Sequence, residues 1–225
     1  MREVQRAGDR FLTLGEGTST RHSFSYGAHY DAANIGFGQL IAINEETVGA
    51  GQGYELHHHA DVEIVTWVLE GSLLHEDTAG NRGVIAPGQA QRLSAGAGVQ
   101  HSERNASGTE DLRFLQMMLR SDHAGEPSYE QRAVGPDIGT LLPTLPVAQR
   151  KARLLLARCA RGDMVHVPAS ELAYIHVTAG TVSVAEHLLH AGDSLRLSDG
   201  GAYDLFAAAA SGEDRAEVLI WQMQR

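Results

Sequence analysis

Residues 57–77 read HHHADVEIVTWVLEGSLLHED. Within this stretch, residues 62–69 form a run rich in β-branched and aromatic side chains that stops at Glu70-Gly71. A second run begins at once at Ser72 and closes at Ala79-Gly80-Asn81. Short apolar runs bounded by glycine turns read as paired strands. Working outward, residues 83–86 form another strand ending at Pro87-Gly88, residues 90–94 and 99–103 flank a turn at Gly96 and Gly98, and residues 112–119 add one more. Upstream, residues 37–44 alternate and then turn polar, again a strand. Many short strands at this spacing argue for a sandwich or barrel rather than βαβ units. The fold class expected is all-β.

The last third repeats the grammar. Residues 173–180, AYIHVTAG, echo 66–71; His190-Ala191-Gly192-Asp193 echoes Ala86-Pro87-Gly88-Gln89; Leu195 to Ser198 with Gly200-Gly201 echoes Leu93-Ser94 with Gly96 and Gly98. A duplicated fold follows from such a repeat. The expected division is 1–125 as a first barrel, 126–149 as a proline-bearing linker, and 150–225 as a second barrel, with N-terminal strands free to cross between them. Residues 147–158 suit a helix, and residues 152–158 equally suit a strand.

Composition bounds the partners. The chain has 225 residues, 43% of them hydrophobic, and a formal net charge of -10. Net acidity opposes nucleic acid and anionic membrane surfaces, and leaves a protein partner open. Cys159 is the lone cysteine, so no internal disulfide forms. Together with an N-terminus lacking an apolar stretch, this points to the cytoplasm.

Strand alternation puts His57 and His59 on one face and His58 on the other. Twelve histidines in this length give about half an HxH pair by chance, so the dyad alone decides little. His101-Ser102-Glu103 repeats the arrangement with a carboxylate. Three neutral imidazoles and one carboxylate around a divalent ion make a site of charge +1, with open positions in six-coordinate geometry. A closed structural zinc site has no such vacancy.

Read as a set, the segment from His57 to Gly71 resembles the first cupin motif in its pirin-family form, HPHxxxE followed by an aliphatic strand and LEG. His75-Glu76-Asp77, Gly80-Asn81, Pro87-Gly88 and residues 94–103 resemble the second motif; Ser23-Phe24-Ser25-Tyr26, Phe37-Gly38-Gln39-Leu40 and residues 128–132, SYEQR, match the family outside it. The resemblance implies a bicupin of two β-barrels whose metal is held by His57, His59, His101 and Glu103. It also implies a dioxygenase that cleaves quercetin with O2, Glu103 doubling as general base. Fe(II) is the metal of first choice, with Ni, Co, Mn, Cu and Zn as alternatives, and a monomer suffices. The rival implication is a redox-responsive protein-binding module; a third is a cupin isomerase or small-molecule binder.

His58 departs from the family, standing where proline is usual. Glu63 is assigned a supporting rather than a ligating role, because the pirin pattern takes its carboxylate from the second motif. His75 reads as a satisfied polar residue, and His22, His29 and His123 as solvated. In the last third, His166 precedes Gly180 by the distance separating His57 from Gly71, Pro168 matches His59, and residues 203–206 offer no HxE, so no metal is expected there. Trp67, Met117, Met118 and Trp221 read as core.

Overall fold

The computed structural model describes residues 1–208 and 215–225, and among them every regular element except the 3-10 turn Ala7–Asp9 is a strand. The strands fall into two compact units. One comprises residues 11–134 and 147–150; the other comprises 1–10, 135–146 and 151–225. No helix among the described residues is long and apolar enough to cross a membrane.

In the first unit, a seven-stranded sheet runs Ser128–Ala133, Gln89–Ser94, Val62–Glu70, Leu112–Arg120, Leu40–Val48, Thr18–His22, Phe11–Gly15. Its partner is a four-stranded sheet ordered Gly53–His59, Val99–Asn105, Leu73–Asp77, Arg82–Ile85. The second unit repeats the eight central strands in the same chain order and pairing. Ser194–Leu197, Leu172–Ala179, Arg215–Met223 and Ala152–Ala160 neighbour one another in its large sheet, and Met164–Val167, Tyr203–Ala207, Thr181–Val184 and His187–His190 form the small one. The bicupin duplication read from the sequence is therefore present strand for strand.

The boundaries differ from the division read off the sequence. Arg2–Gln5 pairs with Ser194–Leu197, so the N-terminal strand belongs to the second unit, a crossing the sequence reading left open. Ser128–Ala133 closes the edge of the first sheet against Gln89–Ser94, and Thr140–Pro143 pairs with Ala152–Ala160, so 126–149 is not a bare linker. Proline content misleads here because proline is tolerated on edge strands, and Thr140–Pro143 is one. Of the two alternatives over 147–158, the strand is what forms: leucines at 154–156 bury both faces. Leu40–Val48 begins three residues later than expected, Phe37 making only an isolated bridge to Leu40.

Inside the first barrel the side chains form layers. Ala42, Ile64, Leu93, Ala95, Val99 and Met118 cluster in one apolar layer; Val48, Val68, Leu73, Ile85, Leu112 and Phe114 make another. Between them a polar row crosses four strands in register: Asn44 opposes Gln116, Gln116 opposes Thr66, and Thr66 opposes Gln91. All four are buried. Burying such groups costs about 1–3 kcal/mol each unless they find partners, so the row needs something polar to face.

Candidate metal centre

The four-stranded sheet supplies it. His101 lies opposite His57 on one side and Asp77 on the other, while Glu103 lies opposite Tyr54 and His75. The pairing with Gly53–His59 slips by one residue between His101 and Glu103, a bulge that leaves both side chains inside the barrel. His101 is 0% and Glu103 2% exposed. Ring centroids stand 5.0 Å apart for His57–His59, 4.4 Å for His57–His101 and 5.0 Å for His59–His101. The nitrogens of these three lie within 4.8 Å of one another, and so do the ligand atoms of a second, overlapping group, His75, His101 and Glu103.

Which atoms are committed elsewhere tests the fit to a metal. His57 Nδ1 donates to the Glu55 carbonyl at 2.8 Å, which turns its Nε2 lone pair inward. Gln116 Nε2 donates to Glu103 Oε2 at 2.6 Å. His59 Nε2, His101 Nε2 and Glu103 Oε1 are all buried with no hydrogen-bond partner. Orphaned imidazole nitrogens of His59 and His101 beside His57, and an orphaned Glu103 oxygen in the overlapping group that shares His101, are donors of the kind that suit a divalent cation.

Burial first, then the neighbouring histidines, holds His59 down to about 4 and His101 down to about 2, so both stay neutral and able to ligate. Glu103 moves the other way: burial and, after the opposing Gln116 bond, the charge of Glu46 push it up to about 7. Ligation needs the carboxylate, so metal binding must displace this proton whenever pH lies below about 7. The expected result is tighter metal binding as pH rises to neutrality, and more protons released on binding at about pH 6 than at about pH 8. Calorimetry in buffers of different ionisation enthalpy checks this; equal release at both pH values would contradict it.

His58 is exposed and leans over Gly98, away from the cluster. Its replacement in His58→Ala should leave metal affinity unchanged in a competition assay with a chelator; a marked loss would mean the strand face is misassigned. Glu63 is buried but points elsewhere, accepting from Ser94 Oγ, Ser121 Oγ and the Ala148 amide at 2.8, 2.8 and 3.0 Å, and so ties three segments together. His22 is not solvated as expected: it is buried, bonded to Asn44 and Thr13, and stacked on Tyr26 at 5.0 Å. The polar row itself was missed from the sequence. Its signal is a polar residue at an inward position of an apolar strand, as Gln116 is in FLQMM.

The second barrel shows what this fold does without such residues. Counting from the hairpin glycines Gly71 and Gly180, Val184 takes the place of His75. Through the pairing, Leu205 takes the place of Glu103, and Val184 and Leu205 are both buried. His166 does not correspond to His57 as its spacing suggested. The loop is one residue shorter, Val167 takes that position opposite Tyr203, and His166 faces outward with its side chain 64% exposed, bonded to Asp204. A one-residue slip in a strand exchanges its two faces. The second interior is filled by an apolar cluster that includes Val165, Val167, Val182, Val184, Leu205 and Ala207; among the described residues the metal-competent groups all lie in the first barrel.

Comparison with known proteins agrees with this architecture. A family model described as Pirin matches residues 4–119, and one described as Quercetinase C-terminal cupin domain matches 145–223. A Mycobacterium tuberculosis protein named provisionally as a quercetin 2,3-dioxygenase is 38% identical, over 98% of this chain and 94% of its own. The quercetin 2,3-dioxygenase of Escherichia coli K12 is 34% identical over 90% of each. The solved nickel(II) complex of the bacterial pirin YhhW from Escherichia coli superposes with a TM-score of 0.90 at 29% identity, covering 99% of both chains. With the pirin motifs, the duplicated barrels and these matches in agreement, the chain belongs to the pirin family.

Proposed function

We propose that the protein is a metal-dependent dioxygenase acting on quercetin or a related flavonol with O2, its metal held by His57, His59, His101 and Glu103. The observation that carries this reading is the contrast between the two interiors. One topology packs apolar side chains in the second barrel and a buried His/Glu cluster in the first. Stability does not require the polar interior, so function does. The names of the Escherichia coli and Mycobacterium tuberculosis relatives support oxidative chemistry on a flavonol.

A bound divalent metal would supply Lewis acidity toward a flavonol hydroxyl and open positions for ligands. Fe(II) is the first ion to load; nickel(II) is the one in the neighbouring structure. Glu103, with one carboxylate oxygen free of hydrogen bonds, would take the phenolic proton. Gln116 keeps one of its oxygens occupied and so aims the other. Tyr26 lies within the fields of Glu46 and Glu103, which, after burial, raise its hydroxyl and keep it a protonated donor. The apolar layer of Ile64, Leu93, Val99 and Met118 excludes water. A reducing cytoplasm would keep a ferrous ion in its working state, and a monomer holds everything the reaction needs.

The test is O2 uptake on adding quercetin to protein loaded anaerobically with Fe(II), Ni, Co, Mn or Cu in turn. Uptake that depends on the ion and on His101 supports the enzyme. No uptake with one metal bound per chain would replace it with a metal-responsive protein-binding module.

A further inference from the structure

His75 lies inside the cluster and has ligand-like spacing to His101 and Glu103, yet its hydrogen bonds give it different work. It is 0% exposed, and both ring nitrogens are engaged. Nε2 sits 3.2 Å from Asp77 Oδ2. That carboxylate also receives the Asn81 amide and side-chain Nδ2, and as an ionised acid it can only accept. The proton in this contact therefore belongs to His75 Nε2.

A neutral imidazole carries one N–H, so His75 Nδ1 is an acceptor. Gln91 Nε2, which can only donate, lies 3.2 Å from it, and His101 Nδ1 faces it at 3.5 Å. The ring is braced by Tyr129, stacked at 4.9 Å and 24°. The same logic then passes to His101. With its proton on Nδ1, the lone pair is on Nε2, the atom left buried and without a partner. The opposite tautomer would set two lone pairs against each other across 3.5 Å and aim an N–H at the point where the ligand atoms converge.

We propose that His75 is a positioning residue rather than a ligand: with Asp77 behind it, it fixes His101 in the tautomer whose Nε2 faces His57 and His59. This rests on the metal-centre reading above and adds a relay, Asp77 to His75 to His101, that leads from the metal position to the Asp77–Asn81 turn. A ligating imidazole whose other nitrogen is held by a second group is a recurrent way of setting basicity and orientation. Here the holder is another histidine, itself oriented by a carboxylate. The single lone pair of His75 Nδ1 is already taken by the Gln91 amide, so it has none to give to a metal.

Long-range 1H–15N NMR of the whole chain, metal-free and loaded with diamagnetic Zn(II), reads the tautomers directly. Expected are protons on His101 Nδ1 and on His75 Nε2 in both forms. Chelator competition then compares His75→Leu, which removes the acceptor, with His75→Gln, whose carbonyl can still accept. The leucine variant should lose about 10–100-fold in metal affinity, and the glutamine variant should recover most of that loss. Three results overturn the proposal: a proton on His101 Nε2 in the metal-free chain, metal-bound shifts at His75 Nδ1, or equal losses in both variants. A wild-type chain that binds no divalent ion would sink the metal-centre reading instead, while the metal-free tautomers still judge the relay.

Discussion

His101→Ala is expected to strip the protein of its metal and of all turnover while leaving the fold in place. His101 is the centre of the cluster, its ring 4.4 Å from His57, 5.0 Å from His59 and 5.3 Å from His75. Deleting it leaves His57 and His59 on one edge strand with Glu103 across a gap that no imidazole spans. Changes in the outer sphere of a metal site cost about 10–100-fold in affinity; loss of a central ligand should exceed that. Neither apolar layer includes His101, and its strand keeps its backbone pairing with both neighbours. The stability cost should therefore fall within the about 0.5–3 kcal/mol of ordinary substitutions. Metal content after loading and desalting, with thermal unfolding of the metal-free chain, checks both halves. Retention of one ion per chain would dismiss His101 as a ligand, and a metal-free variant unfolded at room temperature would mean the cluster holds the barrel together.

Much of this was legible in the sequence, for reasons that can be named. The strands around residues 62–77 show themselves because β-branched runs stop at glycines whose turns need positive φ, as at Gly71 and Gly180 (φ 76° and 73°). The HxH and HxE pairs show themselves because alternation is a local rule. What needed the structure is everything set by register. No local rule states that Asn44, Gln116, Thr66 and Gln91 stand in one row, since they sit on four strands. His166 was misplaced by a single residue, and in a period-two element that is enough to turn a side chain from the interior to the solvent. His22 was misjudged for the same reason: its neighbours in the chain are polar, but its neighbours in space are Asn44, Thr13 and Tyr26.

Glu103→Gln is expected to separate binding from chemistry. The side chains have the same shape, and the site is 2% exposed, so the change is confined to charge and lone pairs. The carboxylate can serve two partners at once, with Oε2 receiving Gln116 and Oε1 left open for a metal. An amide has one acceptor oxygen. If it receives Gln116, its NH2 points at the metal position; if it turns to face the metal, two NH2 groups meet at the Gln116 contact. Facing the metal therefore requires Gln116 to turn its own amide and accept, and the metal then gains a neutral oxygen in place of a carboxylate, while the three imidazoles remain. Metal should still bind, more weakly, and turnover should fall by about 10²–10⁴-fold, the range of a lost general base. The variant should also lose the rise of metal affinity toward neutral pH, because no carboxyl proton is left to displace. Undiminished turnover would remove Glu103 from the proton transfer. A pH dependence of metal binding that survives the substitution would show that a group other than Glu103 gives up the proton on binding.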